Sequence, residues 1–231
     1  MKLISKLQGF STLRVSPDEA MPPGGIVFPS VIAILKETYK FTVFPEFAPG
    51  EMPLVQLSPV GLGLQNGEFD VDGNRVAISQ LQLFLNGIVV GAQSTEFSDA
   101  ILEHVIKLLD GKFGFRLAES EGQRAHISNV VVQFEKPFED AIPQLKVIQD
   151  IMFAEAPPND EGNKMPLTTK RLAFGNNNRI TIDPLQASSM DFTIERRGGA
   201  SFASNRYFCL APLESEKHLR ILEEIERRLM S

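Results

Sequence analysis

RVAISQLQLFLNGIVVGAQSTEFSDAILEHVIKLLDG, Arg75 to Gly111, is the stretch in which turn chemistry, strand pattern and helix ends agree, and its reading decides the fold class. Asn86-Gly87 stands between two apolar runs and predicts a two-residue type I′ turn, because both residues tolerate the positive φ that the turn requires. That loop sets Leu85 opposite Ile88, Leu83 opposite Val90 and Leu81 opposite Ala92 on one face. Phe84 with Val89 and Gln82 with Gly91 occupy the other. The first face is apolar throughout and the second is mixed. Downstream, Ser98 reads as a helix N-cap with Phe97 stapled onto Leu102. Ile101, Leu102, Val105, Leu108 and Leu109 recur at helical spacing, and Gly111 closes the helix. Burying those five side chains on the hairpin stabilises by roughly 1.5–3 kcal/mol each before chain entropy is counted.

On the N-terminal side, Leu3 to Val15 fits an edge strand and a short helix equally well. Ser16 to Gly25 is a loop by its prolines and glycines. Ser30 starts a helix from Val31 to about Tyr39, with Ile32, Leu35 and Tyr39 on one face, and Phe41 to Phe44 is a strand that Pro45 ends. Pro45 to Gly67 reads as an irregular excursion. Its GLGLQNG, Gly61 to Gly67, lacks the GxGxxG spacing and precedes a strand-like EFDVD where a phosphate loop needs a helix N-terminus. Asp70, Asp72 and Asn74 alternate like calcium ligands, but Arg75 and Leu81 stand where a calcium loop needs glycine and glutamate. Asp72-Gly73 is therefore read as a hairpin turn.

On the C-terminal side, Phe113 to Ala118 and His126 to Phe134 read as a strand pair. A helix follows, capped by Asp140, with Pro143 in its first turn and Leu145, Ile148 and Met152 on its buried side. Ala156 to Pro166 is a polar, proline-flanked loop, and 176–179 is a polar turn. Strands at Arg171 to Phe174, Ile180 to Ile182, Asp191 to Arg197 and Arg206 to Leu210 lead to a last helix after Leu213. In that helix Leu219, Leu222, Ile225 and Leu229 form a narrow stripe, flanked by i, i+4 pairs of Glu and Arg worth ~0.3–0.5 kcal/mol each. The stripe is a candidate interface with a partner. Two heptads are short for a coiled coil, which favours docking on the chain's own sheet.

Three times the chain runs strand, turn, strand, helix. This pattern predicts an α+β fold, a mainly antiparallel sheet built from β-hairpins with helices packed on one face. The 231 residues fit a single domain, 1–231, with a long polar loop near 156–166. The alternative division is a main domain, 1–155, followed by a small ββα unit, 167–231.

A formal charge of −6 argues against nucleic-acid binding through a basic surface. The one cysteine makes no internal disulfide and no cysteine-based zinc site, so a reducing, cytoplasmic setting is expected. The longest apolar run, Ile26 to Leu35, is broken by Pro29 and Ser30, and no membrane span is expected. His104, His126 and His218 have no metal-ligand spacing. His104 reads as the edge of a buried stripe and His218 as solvated in the first turn of the last helix. Cys209, in RYFCL, reads as a small buried hydrophobe. No GxSxG, HExxH or phosphate-loop motif occurs. The one polar constellation is ERRGGASFASNRYF, Glu195 to Phe208, where Arg196, Arg197, Asn205 and Arg206 gather guanidinium groups and loop N–H donors suited to an anion.

Two functions follow. The first is a non-enzymatic protein acting through protein contacts, as a homo-oligomer or as a component of a larger assembly, without cofactor or metal. The second is a small-anion or nucleotide binding protein, conceivably a hydrolase, built on the arginine hairpin. Missing catalytic signatures and the amphipathic last helix favour the first.

Overall fold

The computed structural model describes residues 1–22, 26–45, 61–155, 169–175 and 191–229. The polar loop at 156–166, the turn at 176–179 and the strand expected at 180–182 lie outside them. In chain order the elements are β1 (Lys2–Arg14), α1 (Pro17–Ala20), α2 (Phe28–Tyr39), β2 (Leu62–Val71), β3 (Asn74–Phe84), β4 (Gly87–Ala92), α3 (Thr95–Phe113) and β5 (Gln123–Gln133). They continue with α4 (Phe138–Ala141), α5 (Pro143–Glu155), β6 (Arg171–Phe174), β7 (Phe192–Arg196), β8 (Arg206–Ala211) and α6 (Ser215–Leu229). All eight strands join one antiparallel sheet, ordered β2-β3-β4-β1-β5-β8-β7-β6, so the fold is α+β.

That order reads alike from both ends. Each half of the chain runs strand, two helices, three strands, helix, and the halves meet where β1 pairs with β5 near Phe10 and Ile127. The three strand-turn-strand-helix units expected from spacing are thus two longer units. The strand β1, which the sequence leaves undecided, is the centre of the sheet. Its alternation is obscured because two register shifts interrupt its pairing with β5, between Leu3 and Ser5 and between Lys6 and Gln8.

At the join, α3 and α6 begin side by side. Thr95 N–H donates to Ser215 Oγ at 3.2 Å, and Ser215 N–H donates to Thr95 Oγ1 at 2.8 Å. Each hydroxyl thus satisfies a backbone donor that the other helix start leaves open. Buried side chains fall into two clusters. One joins α2 and α3 to Leu64, Leu81, Leu83 and Val90; the other joins Phe138 and Leu222 to Val130, Val132, Ile194 and Cys209.

The central hairpin forms, with a corrected register. Phe84 pairs with Gly87 and Leu83 with Ile88, so the loop is Leu85-Asn86 rather than Asn86-Gly87, and neither loop residue has positive φ. The offset is two residues, which keeps Leu81, Leu83, Ile88 and Val90 on one face as expected. The glycine serves a different purpose. Gly87 opposes Arg14 of β1, where a β-carbon would overlap the Leu13 carbonyl, and Asn86 C=O accepts the Val15 N–H at 2.9 Å. Asp72-Gly73 does turn at positive φ, with Gly73 N–H on the Asp70 carboxylate at 2.9 Å.

Several boundaries also move. The helix α3 starts after Ser94 and runs through Gly111 to Phe113, ending at Gly114 with φ +70°. Ser98, expected as its cap, is instead buried one turn inside, against Ser11. Phe113 to Ala118 is helix end and turn, not strand, because Asp110 captures the Leu117 and Ala118 N–H groups. GLGLQNG lies largely in β2, and of the strand expected at Phe41 to Phe44 one bridge, Val43 to Gln65, is formed. Helix α2 starts at Phe28, with Pro29 in its first turn. Asp140 lies within α4, not at a cap of α5.

If close approach of β1 is what requires glycine at 87, Gly87→Ala and Gly87→Asn each lower the urea-unfolding free energy by about 1–3 kcal/mol. Asparagine tolerates positive φ, so an undisturbed Gly87→Asn would return the residue to a turn role.

Candidate functional site

The arginine hairpin is divided. Arg196 pairs in register with Tyr207 and lies over its ring, guanidinium carbon 5.1 Å from the ring centre. Arg206 precedes Tyr207 on β8, so its side chain leaves the sheet on the opposite face from Arg196. Arg197 extends the ladder by donating its N–H to Arg206 C=O at 3.0 Å. Asn205 is a turn anchor at φ +48°, its side-chain amide on Glu135 C=O at 3.4 Å and its own carbonyl accepting Phe134 N–H at 3.1 Å. The four residues are neighbours, but Arg196 and Arg206 do not converge.

The stripe of α6 docks inward. Leu222 is fully buried, and Leu219 and Ile225 pack against its cluster. Leu229 is 41 % exposed. Of the four candidate interface residues, Leu229 alone keeps substantial open surface.

Of the histidines and the cysteine, His218 and Cys209 are fully buried, and His104 and His126 partly. His218, expected to be solvated, is fully buried because the first turn of α6 lies over β5. Its Nδ1 is 2.8 Å from Ser128 Oγ, and the edge of the imidazole meets Phe192. A hydroxyl beside an imidazole has the pairing of a nucleophile and its base. Here both residues are fully buried, and among the described residues His218 Nε2 has no partner. Burial pushes the imidazole down to about 4. His104 accepts or donates at 2.7 Å with the Tyr39 hydroxyl, and burial, then Lys107, holds it below the usual histidine range. His126 meets Asp99 at 3.0 Å. Cys209 is buried as expected, its thiol pushed up to about 12 by loss of water, so the reactive thiolate is suppressed. Among the described residues, no three His, Cys, Asp or Glu side chains gather as a metal site.

The open surface with the strongest physical signature is on α5. Ile148 and Met152, expected to be buried, are 52 % and 54 % exposed, and Val147 and Ile151 beside them are 58 % and 62 % exposed. Leu145 takes the inner side as expected, packed on the second cluster, and Gln149 joins it there, its Nε2 donating to Thr169 Oγ1 at 2.8 Å. The corresponding helix of the first half, α2, buries Val31, Ile32, Leu35 and Tyr39 beside strands of 10 and 11 residues. Beside α5 the described strands β6 and β7 have 4 and 5 residues. Among the described residues, little sheet underlies α5 to cover its apolar side chains. A signal for this exists in the sequence: apolar residues at 145, 147, 148, 151 and 152 spread around more of the helix than one buried face uses. No protein-family model, no curated protein and no solved structure matches the chain.

The buried imidazole links stability to pH. Because its folded value lies below the ordinary value near 6.5, the stabilisation is complete above about pH 6.5 and falls by about 1.4 kcal/mol per pH unit until about pH 4. Urea midpoints measured across this window should drop with acid in the wild type. In His218→Asn this component of the slope should vanish; an unchanged slope would place the acid sensitivity elsewhere.

Proposed function

We propose that the protein is non-enzymatic and acts through protein contacts, as a homo-oligomer or as a component of a larger assembly. The observation that carries this reading is the α5 stripe: four aliphatic side chains, Val147, Ile148, Ile151 and Met152, each more than half exposed on two successive helical turns. Contiguous apolar surface of that kind is costly in water and marks places where another surface docks. The stripe also differs from a membrane-lying helix, which needs Lys and Arg along its polar face; α5 has Lys146 as its one cation and Asp150 beside it. One sheet shared by both halves supports treating residues 1–231 as one domain. The buried, unreactive Cys209 fits a reducing, cytoplasmic setting. An anion or nucleotide site on Arg196, Arg197, Asn205 and Arg206 is the weaker reading, since Arg196 is engaged with Tyr207 and faces away from Arg206.

Placing the photo-crosslinking residue benzoylphenylalanine at Ile151, and at exposed Glu37 as a control, tests this in living cells. Irradiation is expected to give discrete protein adducts from position 151, either a doubled chain or a larger partner. Equal, diffuse labelling from both positions would remove the support for this surface.

A further inference from the structure

The centre of the sheet contains a gap. Strand β4 has 6 residues, whereas β1 and β3 on either side of it have 13 and 11. Pairing between β4 and its neighbours stops at Ala92, opposite Gly9 on one side and Ile78 on the other. Beyond that point β1 continues from Gln8 back to Lys2 and β3 from Ala77 back to Asn74, each paired, among the described residues, only on its far side, with β5 and β2. The chain of β4 leaves at Gln93 to begin α3. Two strand edges therefore face each other across a missing strand, and neighbouring strands at roughly 4.8 Å make this opening about 10 Å wide. An open cleft of about 810 Å³ covers this opening and extends past β3 to Asn66 and Gly67 of β2; it is lined from β1 by Leu7 and Gln8, from β3 by Asn74 to Ser79 and at its base by Ala92 and Gln93.

We propose that this slot receives an extended segment of a partner protein, which completes β4 by strand addition. Each flanking edge carries backbone N–H and C=O groups directed into the slot, and a strand between them is bonded on both sides, twice what an ordinary sheet edge provides. Side-chain chemistry narrows the guest. On the helix side of the sheet the slot is closed by Phe97 and Ile78, and on the other side by Ala77 and by Gln8, whose amide reaches across to Ser79 Oγ at 3.0 Å. Alternate residues of the guest thus meet an apolar wall and a small, amide-lined wall. Arg75 is the one charge among the described lining residues, and Glu68 already engages it. The guest is accordingly an uncharged segment of about four residues in which aliphatic and small polar side chains alternate. This inference shares with the reading above only the premise of a protein partner; its surface is separate from α5.

The test is selection of a random octapeptide library on the full-length protein, with hydrogen exchange on the winners. Selected peptides should show alternating aliphatic residues and should slow exchange at backbone amides of β1 before Gly9 and of β3 before Ser79. Ala77→Lys and Leu7→Lys, both at exposed positions, should each weaken them at least about tenfold by placing a charge at the slot. Melting temperatures of the unliganded variants should stay near wild type. Failure to enrich any peptide, or enrichment indifferent to both variants, overturns the inference. Protection confined to Val147–Met152 would also overturn it while leaving the α5 reading standing.

Discussion

The structure depends on how closely two helix starts approach its central strand. At Gly9 of β1 a β-carbon would overlap the backbone of Ser94 and Thr95. Only a residue without a side chain lets α3 begin there, and α6 then begins against Thr95 through the paired Thr95 and Ser215 hydrogen bonds. To either side the seam continues with Ser11 on Ser98 at 2.7 Å and Ser128 on His218 at 2.8 Å. All six of these side chains are buried. A satisfied buried hydrogen bond contributes about 1 kcal/mol, but one left broken costs about 1–3 kcal/mol. The seam therefore fixes how the two halves sit together more than it adds to stability, because any other placement leaves these groups unpaired.

Features governed by local chemistry were legible in the sequence. The Asp72-Gly73 turn needs only its own φ values, the stripe of α3 only its spacing, and the amphipathic α6 only its alternation of charge and leucine. Features set by distant neighbours were not. Asn86-Gly87 has the composition of a primed turn, yet Gly87 answers to β1 and the loop moves back by one residue. Strand β1 hides behind two irregularities, and Ser11 and Gly9 look polar or featureless until α3 is laid over them. His218 follows the same logic: polar, in a first helical turn, and buried because the helix enters across the sheet. The candidate site divides in the same way. The arginines of the β7–β8 hairpin were found as neighbours, but pairing with Tyr207 decides which face Arg196 takes.

The open face of α5 and the opening beside β4 both accompany short strands in a duplicated plan. Among the described residues, β6 and β7 are short and α5 keeps apolar side chains in water, while the short β4 leaves an opening between β1 and β3. Among the described residues, His218, Ser128 and Cys209 lie where water does not reach, whereas His104 and His126 keep part of their surface open.

The pairing of β1 with β5 has a consequence for biosynthesis. These strands come from opposite halves of the chain, so the longest ladder in the sheet cannot close until most of the polypeptide has left the ribosome. During that interval β1 offers an unpaired inner edge, and the first half can assemble its own hairpins and α3 around it. The nascent chain thus passes through a state in which its future centre is still an open border, exposed to premature joining with other chains.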